Sequence, residues 1–243
     1  MDGARAAPSW LTDTTYAHRG LHAPDMPENS CAAAEAAIAR GLGIECDIQR
    51  SLDDHPMVFH DWSLERLTGR VEATEALDAD NLEKLRMLGT DQHPIRLARF
   101  LDLVAGRVPL LIEIKSKPGY DVERTCLYVA RLLADYSGPA AIMSFDPRAP
   151  EWFAANAPQF CRGLVGTDSL PNGFEYVWHD PNIIERARPG FLALDRRDLA
   201  CPEAAAWRAS GGALLTWTIR TKTEAQTASC LADALIAEGD ALT

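Results

Sequence analysis

Three acidic residues within two apolar segments are the strongest candidates for chemistry in this 243-residue chain. The segment "IECDI" places Glu45 and Asp47 two positions apart in a predicted strand, so both side chains point to one face. The segment "LLIEIK" does the same with Glu113 and Lys115. A buried Glu113–Lys115 ion pair is one explanation of that segment. Three carboxylates on two strands instead favour a hard divalent cation, because like charges held close together are otherwise costly.

Two of the six histidines, His18 and His60, lie at the ends of apolar runs, where they are predicted to converge. A pair of histidines beside a metal can act as general base and general acid for displacement at phosphorus. Arg19 and Lys115 add cationic groups suited to phosphate oxygens. Trp217, near the end of a later strand, could enclose an alcohol or glycerol group, although a tryptophan in a strand is more often part of the packing. The remaining histidines fall in polar loops and are predicted to lie at the surface: His22, His55, His93 and His179.

The elements that must position these residues alternate along the chain. Apolar runs predict strands near 15–18, 44–48, 110–114, 141–145, 163–165, 191–194, 214–219 and 234–237. Between them, Ala- and Leu-rich stretches predict helices over 30–40, 121–136, 147–155, 173–188, 202–209 and 222–231, with Ser30 as an N-cap. Eight strands that alternate with helices are typical of an α/β fold of the (β/α)₈ TIM-barrel type, here predicted as one domain over residues 1–243.

Two segments interrupt the alternation. The run 57–60 follows the second strand too closely for a parallel crossover, so it is predicted to return antiparallel as a β-hairpin and to carry His60 and Asp61 back toward the barrel mouth. The segment 62–98 is polar and poorly periodic until the helix in "IRLARFLDLVAG". We expect it to be a loop insertion on the catalytic face, where barrels carry functional insertions.

Composition excludes several classes of protein. A formal net charge of −11 argues against a nucleic-acid binder or an anionic-membrane binder, which need clustered basic charge. No apolar run is long enough for a membrane span, and the first residues lack the basic start and apolar stretch of a signal peptide. The six cysteines have no metal-binding spacing and are predicted to be free thiols, which favours a cytoplasmic location.

An ordered set of motifs between residues 16 and 218 resembles the glycerophosphodiester phosphodiesterase family, a metal-dependent branch of the phospholipase C-like phosphodiesterases. The motifs are "HRG" at 18–20, "PENS" at 27–30, "ECD" at 45–47, "VFHD" at 58–61, "LTG" at 67–69, "PIRLARFLDLV" at 94–104, "LLIEIK" at 110–115, "SF" at 144–145 and "TWT" at 216–218. Each is weak alone, but their order and spacing together are specific.

The resemblance implies a (β/α)₈ barrel that hydrolyses glycerophosphodiesters to glycerol 3-phosphate and an alcohol with Mg²⁺ or Ca²⁺. It implies that Glu45, Asp47 and Glu113 bind the metal. The acid and base would be His18 and His60, and the phosphate and substrate contacts would come from Arg19, Lys115 and Trp217. We further expect supporting roles for Asn29, which would orient the site, for Glu28, close to the metal, and for Asp61. The C-terminal segment "ALIAEGDALT" departs from the family pattern, so the resemblance assigns no role to Glu238 or Asp240.

Two alternatives remain at this point. A lysophospholipase D or related phospholipase would act at membranes, which the excess of acidic over basic residues in 62–98 disfavours. A phosphate-binding barrel without catalysis would be expected to lack a catalytic histidine or a metal-binding carboxylate, and all five are present. The predicted partner is a small glycerophosphodiester, with neither nucleic acid nor a stable membrane anchor. The preferred head group, the metal, the roles of the two histidines, the attacking group and the oligomeric state stay open.

Overall fold

Eight parallel strands close into a barrel in the computed structural model, which describes residues 7–168 and 178–243. In chain order these strands are β1 Tyr16–Ala17, β2 Gly43–Arg50, β5 Leu110–Ile114, β6 Ala140–Ser144, β7 Cys161–Gly166, β8 Phe191–Asp195, β9 Ala213–Ile219 and β10 Ala234–Ala237. The ring closes because β1 pairs in parallel with both β10 and β2. The predicted (β/α)₈ TIM barrel is confirmed, and each predicted barrel strand corresponds to one of these eight.

Nine α-helices lie within the described residues: α1 Cys31–Ala39, α2 Glu65–Thr68, α3 Ala79–Leu82, α4 Leu97–Val104, α5 Val122–Ala134, α6 Arg148–Asn156, α7 Pro181–Ala187, α8 Pro202–Ala209 and α9 Lys222–Ala228. The Ser30 hydroxyl accepts a hydrogen bond from the backbone N–H of Ala33, so the predicted N-cap of α1 is confirmed. The predicted helix 173–188 lies partly outside the described residues, and its described part is helical from Pro181 to Ala187. None of the helices described is both long and apolar enough to cross a membrane.

The segment after β2 forms the predicted antiparallel hairpin and then more structure than the sequence suggests. Strand β3, Pro56–Val58, pairs antiparallel with β2 and also with β4, Ile95–Arg96. The predicted insertion is confirmed, but it is not a loop throughout. It contains α2, α3 and β4, which have two to four residues each and are too short to produce a periodic pattern in the sequence. Seven buried side chains stabilise this insertion as a separate hydrophobic cluster: Met57, Phe59, Leu64, Leu67, Ala79, Leu82 and Met87.

Strand register sets the position of the acidic residues. Asp47 is paired with Glu113 across β2 and β5, and Glu45 is paired with Leu111. Leu111 belongs to the buried cluster inside the barrel, together with Tyr16, Met143 and other side chains. Since alternate residues of a strand share a face, the three carboxylates also face the interior, and Asp47 and Glu113 lie nearest the carboxyl ends of the strands.

Candidate active site

A cavity of about 530 Å³ lies at this end of the barrel and brings the predicted site residues together. Its walls include all eight residues predicted to carry catalysis, metal binding or substrate contact: His18, Arg19, Glu45, Asp47, His60, Glu113, Lys115 and Trp217. They come from four barrel strands or the segments that follow them and from the segment after the hairpin. Residues distant in sequence therefore meet at the face where barrels of this type carry their active sites.

The three carboxylates Glu45, Asp47 and Glu113 each place an oxygen within 4.8 Å of the others. Burial raises the pKa of Glu45 well above its usual value, and the neighbouring charges of Asp47 and Glu113 raise it further. Burial also opposes ionisation of Asp47, but His60, Lys115 and Arg19 outweigh it and hold the pKa of Asp47 well below its usual value. Closely spaced, buried oxygens of this kind form the donor set that a hard divalent cation needs.

Two cationic side chains border the carboxylates. The Nζ atom of Lys115 donates to Oε1 of Glu113 at 2.8 Å and lies 3.6 Å from Oδ1 of Asp47. The Glu113–Lys115 pair suggested as an alternative is thus present, beside the acidic cluster rather than in place of it. The backbone N–H of Arg19 donates to Oε2 of Glu45 at 3.0 Å, and its Nε atom lies 3.3 Å from Oδ2 of Asp47.

Asn29 holds Asp47 through two hydrogen bonds. Its Nδ2 donates to Oδ2 of Asp47 at 2.9 Å, and its Oδ1 accepts from the backbone N–H of Asp47 at 3.2 Å. Asn29 and Arg19 both have positive φ, 56° and 57°, which non-glycine residues rarely adopt. The backbone N–H of Asn29 donates to the carbonyl oxygen of Arg19 at 2.8 Å, so the "HRG" and "PENS" segments hold each other in this conformation.

His18 is oriented by Glu238, the residue that directly follows β10. Nδ1 of His18 lies 2.5 Å from Oε2 of Glu238, and Nε of Arg220 donates to Oε1 of the same carboxylate at 2.7 Å. Burial lowers the pKa of His18 below its usual value, although the hydrogen bond to Glu238 opposes this shift. His18 is therefore neutral near pH 7, with Nδ1–H donated to Glu238 and Nε2 left to accept a proton.

His60 is held by a chain of alternating charges. Its Nδ1 lies 2.6 Å from Oδ1 of Asp61, which accepts two hydrogen bonds from Arg66. Arg66 also donates twice to Glu28, both bonds at 2.8 Å. Nη1 of Arg19 donates to the same Glu28 carboxylate at 2.6 Å. Arg66 thus connects Asp61, which contacts His60, with Glu28, which contacts Arg19.

Aromatic rings form two other walls of the cavity. Phe145 and Trp217 meet edge to face with centroids 5.3 Å apart, and Nε1 of Trp217 donates to the carbonyl oxygen of Ala193 at 2.9 Å. Trp62, from the insertion, forms a further wall. The ammonium group of Lys117 lies 4.2 Å from the centroid of the Trp62 ring. An alcohol portion of a ligand would have the apolar surface of these rings available in the same cavity as the acidic cluster.

The sequence model of the glycerophosphoryl diester phosphodiesterase family matches residues 18–157, which is more than half of the chain. This protein belongs to that family. The match contains the acidic cluster, both catalytic candidates His18 and His60, and the Arg66 network. The enzyme class is accordingly that of the phosphoric diester hydrolases. No curated protein matches the sequence.

Solved structures show the same fold. A phosphodiesterase from Oleispira antarctica, in complex with the product sn-glycerol-3-phosphate, is 21% identical, with a TM-score of 0.81 and coverage of 92% of each chain. A glycerophosphodiester phosphodiesterase from Thermotoga maritima is 20% identical, with a TM-score of 0.75 and coverage of 92% of this chain and 93% of its own. A glycerophosphodiester phosphodiesterase from Agrobacterium tumefaciens is 20% identical, with a TM-score of 0.73 and coverage of 94% of this chain and 97% of its own.

Several residues at the site are not predicted from the sequence. Glu238, to which the sequence assigns no role, orients His18. Arg66 lies between the "VFHD" and "LTG" motifs and belongs to neither. Phe145 and Trp62 line the cavity, which the sequence does not predict. His22, predicted to lie at the surface, is outside the cavity lining, and its Nε2 lies 3.5 Å from Oε2 of Glu238. The available signal is the proximity of Arg66 and Trp62 to motif residues in the sequence, whereas Phe145 belongs to the "SF" motif itself.

Proposed function

We propose that this protein hydrolyses glycerophosphodiesters to glycerol 3-phosphate and an alcohol, using a divalent metal and two histidines as acid and base. The observation that carries the proposal is the shared cavity, in which His18 and His60 line the same space as three clustered carboxylates, Arg19 and Lys115. Family membership supports the reaction class. The structural neighbour with bound sn-glycerol-3-phosphate supports the product.

The metal would be held by Glu45, Asp47 and Glu113. All three supply oxygen, the ligand atom that Mg²⁺ and Ca²⁺ prefer, and their mutual repulsion gives a bound cation a favourable potential. When bound there, such a cation supplies charge neutralisation for the diester oxygens. Arg19 and Lys115 lie beside the same carboxylates and would bind the remaining phosphate oxygens.

We assign His18 as the general base and His60 as the general acid. Nδ1–H of His18 is donated to Glu238, so Nε2 can take the proton of the attacking O–H group while oxygen forms its bond to phosphorus. Protonated His60, with Nδ1–H donated to Asp61, gives the proton on Nε2 to the departing alcohol oxygen as the P–O bond breaks. The attacking group is water or the glycerol hydroxyl, and detection of a cyclic phosphate by phosphorus NMR separates these two routes.

Arg66 positions both halves of this machinery without touching the substrate. Its guanidinium group donates two hydrogen bonds to Asp61 and two to Glu28, and these carboxylates in turn contact His60 and Arg19. The hydrogen bonds to His60 and Arg66 hold the pKa of Asp61 well below its usual value despite partial burial, so the carboxylate stays ionised beside the imidazole.

The test is a release assay for glycerol 3-phosphate over a panel of soluble glycerophosphodiesters. EDTA is expected to abolish turnover, and Mg²⁺ or Ca²⁺ is expected to restore it. His18→Ala and His60→Ala should each reduce kcat by several orders of magnitude without changing the fold. His55→Ala is the matched control, because the side chain of His55 is 51% exposed and lies outside the cavity lining.

Three results would contradict the proposal. Turnover that is indifferent to EDTA would exclude the metal role, and near-normal rates for both alanine variants would exclude the histidine roles. Phosphate binding without any turnover would indicate a non-catalytic barrel instead. Lysolipid micelles belong in the same panel, since a clear preference for them over soluble diesters would replace the proposed substrate with that of a lysophospholipase D.

A further inference from the structure

A second group of metal-binding atoms lies beside the acidic cluster and contains nitrogen as well as oxygen. Nδ1 of His18 and Nε2 of His22 both face Oε2 of Glu238, at 2.5 Å and 3.5 Å. All three ligand atoms lie within 4.8 Å of one another. The Nε2 atom of His22 is buried, and its contact with Oε2 of Glu238 lies at the outer limit of a hydrogen bond. Because buried polar atoms normally make well-formed hydrogen bonds, this nitrogen is only weakly satisfied and its lone pair can bind a cation.

The carboxylate of Glu238 is arranged to serve such a ligand. Its Oε1 is held by Nε of Arg220 at 2.7 Å, which leaves Oε2 directed at the two imidazoles. The hydrogen bonds and charges of the groups around Glu238 hold its pKa far below the usual range despite partial burial, so the carboxylate is ionised. The Arg220 side chain is 58% exposed, and water screens its repulsion toward a cation at Oε2.

We propose that His18, His22 and Glu238 form an inhibitory site for Zn²⁺ or a similar ion that prefers nitrogen ligands. This inference rests on the proposed function, since it concerns the histidine assigned there as the base. The two groups of ligands select different ions: oxygen atoms alone favour Mg²⁺ or Ca²⁺, whereas imidazole nitrogen favours Zn²⁺. Three protein ligands with water in a fourth position are a common arrangement for zinc.

The distances suit this ion after one small movement. Two ligands of a tetrahedral zinc ion with bonds of roughly 2.1 Å are about 3.4 Å apart. The separation of 3.5 Å between His22 and Glu238 already matches that value. The separation between His18 and Glu238, 2.5 Å, must lengthen by about 1 Å as zinc replaces the bridging proton.

Zinc at Nδ1 of His18 would stop the proton transfer. In the active tautomer, the proton lies on Nδ1 and the lone pair on Nε2 accepts the proton of the attacking group. When Nδ1 binds zinc, the imidazole can remain neutral only if its proton moves to Nε2, and the accepting lone pair is then lost. The ion therefore inhibits without displacing the catalytic metal and without a net change in the protons on His18.

The test measures inhibition of the full-length protein by Zn²⁺ in the presence of saturating Mg²⁺ or Ca²⁺. His22→Asn removes one ligand from a residue outside the catalytic machinery. We expect its activity without zinc to stay within twofold of wild type, and the Zn²⁺ concentration for half-inhibition to rise at least tenfold. His55→Asn, a change at an exposed histidine, is expected to leave that concentration unchanged.

A second readout does not depend on activity. Co²⁺ titrated in the presence of saturating Ca²⁺ should give visible absorption bands of a tetrahedral site with nitrogen ligands in wild type, and these should be lost in His22→Asn. Both proteins keep all six cysteines, so a difference between them is not due to thiols. Equal half-inhibition in the two proteins, equal Co²⁺ spectra, or no zinc inhibition of wild type would overturn the inference. If the wild-type protein has no activity but its Co²⁺ bands are lost in His22→Asn, the proposed function is refuted and the proposed metal site is supported.

Discussion

Replacing Glu238 with glutamine tests how the tautomer of His18 is set. The side chains of His18 and Glu238 are only 15% and 18% exposed, so solvent weakens their hydrogen bond little. A hydrogen bond to a charged group contributes about 1.5–3 kcal/mol. Glutamine keeps the size of the side chain but can donate its amide N–H to Nδ1, which favours the tautomer with the proton on Nε2.

The expected loss follows from the two changes together. Removing a charged bond that favours the active tautomer and adding a neutral one, of about 0.5–1.5 kcal/mol, that favours the inactive tautomer shifts the balance by roughly 2–4.5 kcal/mol. At about 1.4 kcal/mol for each factor of ten, kcat should fall by ~10–10³. KM should change little, because Glu238 contacts His18 but is not among the residues that line the cavity.

The assay is single-turnover release of glycerol 3-phosphate, which reports the chemical step rather than product release. Glu238→Asp is the matched variant, since it keeps the charge but shortens the side chain, and its kcat should lie between wild type and Glu238→Gln. Thermal unfolding of each variant controls for stability. A kcat for Glu238→Gln within threefold of wild type, or a loss confined to KM, would refute the role of Glu238 in orienting the base.

Three further predictions concern protonation, metal binding and positioning. Burial lowers the pKa of His18, so the acid limb of kcat/KM should lie below pH 6.5, and pH profiles should show it still lower in Glu238→Gln because the carboxylate that favours imidazolium is gone. Glu45→Gln should raise the melting temperature in EDTA near neutral pH by roughly 2–4 °C, since it replaces an acid whose ionisation is opposed by burial and by two neighbouring carboxylates, and should abolish stabilisation by Ca²⁺. Arg66→Lys should reduce kcat about tenfold, because lysine cannot bridge two carboxylates, and a double-mutant cycle with Asp61→Asn should show a non-additivity of about 0.5–3 kcal/mol.

The sequence was sufficient to predict the parts of the site that depend on local spacing. Glu45 and Asp47 share a face because they are two residues apart in a strand, and this holds wherever the strand lies. The position of Glu113 beside Asp47 required only that their two strands be neighbours in a barrel. The alternation of strands and helices and the ordered motifs both predict a barrel in which these strands are neighbours. The acidic cluster and its position at the barrel mouth could therefore be predicted together.

The contacts that orient the histidines could not be predicted in this way. His18 and Glu238 are 220 residues apart in the sequence, and only closure of the barrel between β1 and β10 brings them together. Arg66 lies in a helix of four residues, too short to leave a periodic pattern that would place it. Strand β4 has only two residues and could not be predicted from the sequence for the same reason.

The two histidines are consequently oriented by different parts of the fold. His18 depends on Glu238, a residue that follows a barrel strand, and burial keeps its imidazole neutral and able to accept a proton. His60 depends on Asp61 and Arg66, which belong to the insertion and are partly exposed to water. Asp61, whose pKa is held well below its usual value, places a negative charge beside the imidazole that we propose as the general acid. The position of each histidine in the fold thus determines its proposed role, with the base built into the barrel and the acid held by the insertion.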